Sequence, residues 1–267
     1  HSADRVAEAF GLLGFRGTVS NACASGAAAV GLGCDLIRAG EADVVLAGGV
    51  DSLNSVLING FNCLMLIAPD GCRPFDVDRQ GMTVGEGAGV LVLESTEHAR
   101  ARGARVRAEV AGHGASCDAH HATSPHPDGD GLLAAMERAL ADAGLAPHDV
   151  DYVNAHGTGT RDNDLSEGRA MARLFGDRQP AVSSTKAFFG HTMAAAGAIE
   201  AIVCLLALEH QAVPPNLGLE QVDPEVQIHP TLSFQASALE VAMSNSLGFG
   251  GNNSALVLRR PPPGEEP

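Results

Sequence analysis

Cys23 lies in Asn21-Ala22-Cys23-Ala24-Ser25-Gly26, where a short extended segment is predicted to give way to a helix. A thiol at a helix start sits in the positive end of the macrodipole, beside backbone N–H groups with no intrahelical partner. Both favour the thiolate, the form that acts as a nucleophile. The tiny neighbours would let a thioester approach closely. By itself such a Cys is more often a buried packing residue, and the motif needs partners to mean more. His156 offers one, in Asn154-Ala155-His156-Gly157-Thr158-Gly159-Thr160. A His at the carboxyl end of a strand faces the crevice where α/β sheets bind ligands. The hydroxyls of Thr158 and Thr160 suit a polar, extended substrate arm. A turn with a satisfied His is the equal alternative here.

The segment Lys186-Ala187-Phe188-Phe189-Gly190-His191 runs from another predicted strand towards an apolar helix starting near His191. There the helix dipole would keep the imidazole neutral, which suits hydrogen-bond donation to a developing oxyanion. Lys186 is placed to orient one of the two His. Glu200, inside that otherwise apolar helix, must be paired, because an unpaired buried carboxylate is costly. Gly248-Phe249-Gly250-Gly251 sets one bulky ring among glycines, the composition of a gate, or of a tight turn anchored by its Phe. Asn252 and Asn253 follow it.

The elements that must position these groups alternate between apolar strands and amphipathic helices, the pattern of a layered α/β protein. Helices are expected at 4–13, 24–39, 96–102, 132–143 (closed by Gly144), 164–175 and 193–208. Strands are expected at 18–21, 44–47 (a buried strand ending in Gly48-Gly49), 89–93, 105–111, 150–154 and 181–183. A closing antiparallel pair is expected at 239–243 and 255–258. His113, His120, His121 and His126 are assigned to one Gly/Ser/Pro-rich loop with a structural or gating role and no metal. Asp43, Asp51, Asp76 and Asp78 fall on separate elements and form no carboxylate pair. The segment 261–267, rich in Pro and Glu, is expected to be disordered.

The chain has 267 residues, 45% of them apolar, with 32 Gly, one Tyr and no Trp, a close-packing composition. Its 17 basic and 32 acidic residues give a net charge of −15, which argues against nucleic acid or an anionic membrane as partner. A local basic patch at Arg100, Arg102, Arg105 and Arg107 reads as a solvated helix end and the strand after it, or as a dock for an acidic protein. Six Cys without a CxxC pair fit a reducing compartment, with neither a disulfide framework nor a zinc site. No stretch is expected to span a bilayer and no leader is recognised, so a cytoplasmic location is expected.

Taken in order, the Cys, His, Lys-His and Gly-Phe-Gly-Gly-Asn-Asn motifs resemble the elongating β-ketoacyl-acyl carrier protein synthases. Arg73-Pro74-Phe75-Asp76 and Gly85-Glu86-Gly87-Ala88-Gly89 support the likeness, which runs from about Phe15 to Leu258. The resemblance implies a thiolase-like layered α-β-α-β-α fold. In it, 1–104 would be the later part of an N-terminal half carrying the nucleophile, and 105–260 the C-terminal half. It also implies roles. Cys23 would carry the acyl group, and His156 and His191 would bind the malonyl thioester carbonyl and stabilise the enolate. Lys186 and Glu200 would support them. The backbone N–H groups of Cys23 and Phe249 would form the oxyanion hole, and Phe249 would gate the pocket with loop 118–127. Thr158, Thr160, Gly248 and Gly250 would contact substrate. No cofactor or metal would be bound by the chain, since its substrates ride on the phosphopantetheine of acyl carrier protein. That carrier would be a partner, with a homodimer or a ketosynthase heterodimer as the assembly.

The sequence departs from the pattern in four places. Asn21 stands where many relatives have Thr, Asn252-Asn253 replaces a commoner Thr-Asn, and the stretch from Phe61 to Arg73 is short. The opening strands and helices of the first half have no counterpart in the sequence. The chain is therefore expected to be a fragment, or to be completed by a separate polypeptide supplying that region. Two other functions remain: a non-catalytic, chain-length-factor-like subunit shaping a partner's pocket, and a thiolase-type acyltransferase acting on coenzyme A esters.

Overall fold

The structure is a computed structural model and describes residues 1–261. The strands are β1 Val44–Asp51, β2 Gly87–Glu94, β3 Glu109–Cys117, β4 Tyr152–Asn154, β5 Ala181–Ser183, β6 Ala212–Val213, β7 Gln235–Ala236, β8 Val241–Gly248 and β9 Asn252–Arg259. The α-helices are α1 Ser2–Phe10, α2 Ser25–Arg38, α3 Ser55–Cys63, α4 Thr96–Ala101, α5 Asp130–Ala143, α6 Arg161–Phe175, α7 Lys186–Phe189 and α8 Ala196–His210.

Five strands form the main sheet in the order β3-β9-β8-β4-β5. β4 runs parallel to β5 and β8, while β9 is antiparallel to both β3 and β8. Alternate residues of its central strands enter different cores, as the period of two requires. Val153, Met243 and Val257 join Leu132, Met136 and Met171 of α5 and α6. Tyr152, Ala242 and Leu256 join Ala27, Val30, Ala198 and Cys204 of α2 and α8. With both faces covered, these strands bury nearly every side chain.

On their other side, α2 and α8 pack against the two-stranded antiparallel sheet of β1 and β2 through Ala47, Leu91 and Leu93. The two helices touch closely: a Cβ on Gly197 would lie 2.6 Å from the Ala27 nitrogen. The layering is thus two-stranded sheet, helices, five-stranded sheet, helices. It is the layered α/β fold implied by the resemblance, with the outer face of the β1–β2 sheet bare among the described residues. Val50, Val90 and Val92 are 50%, 56% and 62% exposed there, so β1 is half-buried where a buried strand was expected.

Other expectations need correction. Residues 18–20 form no strand. The backbone there is left with an isolated bridge between Asn21 and Cys23, since no neighbouring strand in the described chain reaches it. The strand expected at 105–111 begins at Glu109 and continues to Cys117 with a bulge between Val110 and Gly112, which places His113 in a strand and outside the loop. His191 precedes α8 and a short 3₁₀ turn at Met193–Ala195, and so is not at a helix start. The stretch Met193–His210 does have the length and apolar content to cross a membrane, against the expectation, but more than half of it is buried as a core helix. Of the tail expected to be disordered, everything after Pro261 lies outside the described residues.

Candidate active site

The turn into α2 places the nucleophile candidate. Ser25 Oγ accepts the Asn21 N–H at 2.8 Å and donates to the Ala22 carbonyl at 2.7 Å, closing a tight loop around Cys23. Ala22 is held at φ 49°, a left-handed conformation that non-glycine residues adopt at a cost of about 1 kcal/mol or more. The result is a sulfur aimed into a cavity of about 370 Å³, which Phe61, Met82, His156, His191 and Phe249 also line.

The two His reach that cavity from separate elements. His156 follows the end of β4, and His191 is fixed by a bridge to Val84 and by its N–H on the Thr83 carbonyl at 2.7 Å. Their rings meet edge to face with centroids 5.1 Å apart. Behind them Lys186 is fully buried. Its Nζ lies 3.3 Å from His156 Nδ1 and forms a hydrogen-bonded ion pair with Glu200 Oε1. An ammonium has only protons to give, so it donates to Nδ1 and leaves the His156 proton on Nε2. Burial first, then the Lys186 cation and for His156 also His191, hold both imidazoles well below the usual histidine range. They are therefore neutral donors. For His191 this replaces the helix dipole expected from the sequence, because α8 begins too far along the chain.

The sulfur differs from expectation too. Burial pushes the Cys23 thiol up to about 11, although Lys186 and the Phe249 N–H, which donates to the sulfur, pull the other way. The thiol, not the thiolate, is therefore the resting form. The ring of Phe249 sits 5.5 Å from that of Phe61. Gly248 lines the cavity, whereas Gly250 is exposed and donates its N–H to the Ala122 carbonyl at 2.8 Å. Asp118, Thr123, Ser124 and Pro125 of loop 118–127 also line the cavity. Thr158 and Thr160 also line the cavity, and their hydroxyls are 2.8 Å apart.

Three further residues position this set and were missed in the sequence. Glu167 of α6 accepts the N–H of His156 on Oε1 at 2.7 Å and that of Gly157 on Oε2 at 2.8 Å. Burial raises its carboxyl to about 7 against those bonds. Asp164, one turn earlier, accepts the N–H of Phe75 at 2.7 Å and of Gly159 at 3.2 Å. Arg79 lies against it at 3.4 Å and holds Asp223 at 2.6 Å. The spacing of Asp164 and Glu167 on one helix face was the available signal. Asp76 is buried and accepts the N–H groups of Asp78, Glu220 and Gln221.

This arrangement can acylate a thiol and stabilise a developing oxyanion with two neutral imidazoles. Two family models match the chain: Beta-ketoacyl synthase, N-terminal domain, over residues 1–99, and Beta-ketoacyl synthase, C-terminal domain, over residues 107–220. Nodulation protein E of Rhizobium meliloti is 43% identical over 263 residues, covering 97% of this chain and 65% of that protein. Among solved structures, the ishigamide ketosynthase/chain length factor superposes with a TM-score of 0.90 at 43% identity, covering 92% of this chain and 61% of that one. A type II PKS acyl-carrier protein in complex with its ketosynthase bound to the hexaketide gives a TM-score of 0.93 at 33% identity, covering 97% and 66%. The chain thus spans just under two thirds of the length of the relatives it matches.

Proposed function

Since the chain belongs to the beta-ketoacyl synthase family, we propose that it carries out decarboxylative condensation of an acyl thioester with malonyl-acyl carrier protein. The observation that carries the reading is the placement of two neutral imidazoles, one oriented by a buried Lys186, on the same cavity as Cys23. In the first half-reaction the Cys23 sulfur attacks the acyl thioester carbonyl. The oxyanion is held by the N–H groups of Cys23 and Phe249, the carrier thiolate leaves, and it takes up the proton that Cys23 gave. In the second, the malonyl carboxylate leaves as carbon dioxide. The electron pair of the broken carbon–carbon bond moves onto the thioester as an enolate, whose oxygen accepts from His156 and His191. The enolate carbon then attacks the acyl-Cys23 carbonyl and expels the sulfur, giving a 3-oxoacyl product still on its carrier.

Thr158 and Thr160 line the mouth where a phosphopantetheine arm would enter, and Phe249 with loop 118–127 gates the acyl chamber. No bound cofactor is needed for these steps, because both substrates arrive as thioesters. Intact-mass measurement after incubation with acyl-carrier proteins tests the proposal: a mass gain of one acyl group, lost in Cys23→Ala, is expected. Loading that survives Cys23→Ala overturns it. Release of carbon dioxide from malonyl-carrier protein, lost in His156→Ala and His191→Ala, tests the second half-reaction.

A second reading is favoured by the bare outer face of the β1–β2 sheet and by solved relatives that pair a ketosynthase with a chain length factor. In it the chain works in a homodimer or heterodimer, or with a polypeptide that covers this face. Activity seen only with a co-purified partner would favour it. Acyl-coenzyme A loading Cys23 as fast as acyl-carrier protein would point instead to a thiolase-type acyltransferase.

A further inference from the structure

We propose that Asn252 is a positioning residue that latches the Phe249 turn in its closed position, an inference that rests on the reading of Phe249 as a gate. Asn252 Nδ2 donates to the Phe249 carbonyl at 2.9 Å, so a side chain at the first residue of β9 ties the base of the turn. Between them Gly250 and Gly251 sit at φ 81° and 77°, positions where a Cβ would be strained and where the backbone rotates with little resistance. Hydrogen bonds, not backbone preference, must therefore fix where the turn stands.

Several bonds tie the turn to loop 118–127. Asp118 donates its N–H to the Gly251 carbonyl at 2.9 Å, and Asn253 Nδ2 donates to Asp118 Oδ1 at 2.7 Å. Gly250 donates to the Ala122 carbonyl at 2.8 Å. Among these bonds, that of Asn252 alone falls on the residue that carries the ring. The Phe249 N–H faces the Cys23 sulfur and its ring packs on Phe61. When the turn itself moves to carry the ring out of the cavity, its peptide planes rotate and the Phe249 carbonyl leaves the Asn252 amide. The Asn252 carboxamide carries two N–H donors, one of which is spent on the Phe249 carbonyl.

The test reads the chemical accessibility of Cys23, which does not depend on turnover. Asn252→Asp keeps the size of the side chain but removes the donor, and Asn252→Ala removes the side chain. Both are compared with the parent and with Phe249→Ala, the opened reference, by peptide-resolved rates of modification with N-ethylmaleimide and with the smaller iodoacetamide. The buried Cys72 and Cys204 serve as internal controls. Expected is a rise at Cys23 of about fivefold with N-ethylmaleimide, the factor one ordinary hydrogen bond is worth, and a smaller rise with iodoacetamide. The controls should stay unmodified. An unchanged Cys23 rate in both Asn252 variants, with Phe249→Ala fast, overturns the latch while leaving the gate. An increase shared by Cys72 and Cys204 also overturns it, since the effect is then general loosening. An unchanged rate in Phe249→Ala removes the gate itself, and the latch with it.

Discussion

Lys186 ties the proposed catalytic set together, because one ammonium serves Glu200, His156 and, through its field, Cys23. Replacing it with Met should strand Glu200 as an unpaired buried carboxylate and cost about 3 kcal/mol or more, read as a lower urea midpoint. Adding Glu200→Leu should return most of that stability without returning decarboxylation, which separates the structural from the chemical use of the pair. For Cys23 the sign of the pH dependence is set by a thiol raised from 9.0 to about 11. The folded state keeps its proton longer than the unfolded chain. The associated stability is therefore complete below pH 9 and lost as pH climbs through about 11. Alkylation of Cys23 should accordingly be slow at pH 8 beside the exposed Cys63 and should still be rising near pH 11. The identities of Cys23, His156, Lys186, His191 and Glu200 could be read from local motifs. The burial that governs their protonation could not, because it depends on helices and strands distant in sequence.

At the level of elements, α6 holds the end of β4 through Glu167. Its carboxyl is raised from 4.5 to about 7, so the folded state binds the extra proton and stability falls as pH rises across that window, by about 3 kcal/mol in all. Glu167→Gln should flatten that slope in thermal melts taken from pH 4.5 to 8. The α2–α8 contact is equally exacting. Gly197→Ala drives a methyl to 2.6 Å from the Ala27 backbone, and should lower stability by about 1–3 kcal/mol while slowing acylation at Cys23, four residues before Ala27 in the sequence. Helices α2, α5 and α6 were legible because their apolar spacing is regular and Gly144 ends α5 in a left-handed turn. The strand expected at 239–243 instead runs on to Gly248, because Ser244, Asn245 and Ser246 are buried there and interrupt the apolar run that marks a strand. Arg79 and Asp223 were silent in the sequence, since a buried ion cluster assembled from separate segments leaves no local pattern.

Across the whole molecule, four layers share two cores, and one outer face carries valines to the solvent. Such a face invites association. Val90→Lys together with Val92→Lys should shift light-scattering mass towards the single chain and leave the far-ultraviolet dichroism unchanged. An unchanged mass would mean that this face takes no part in association. Tyr152 brings a different consequence. It is the chain's one tyrosine, there is no tryptophan, and it opens β4, the strand that leads to His156, with its hydroxyl buried 3.0 Å from Ser183 Oγ. Tyrosine emission therefore comes from a single point inside the main sheet. The protein is nearly invisible at the wavelengths used to quantify most proteins. Yet it has a built-in optical probe of the layer on which its chemistry depends.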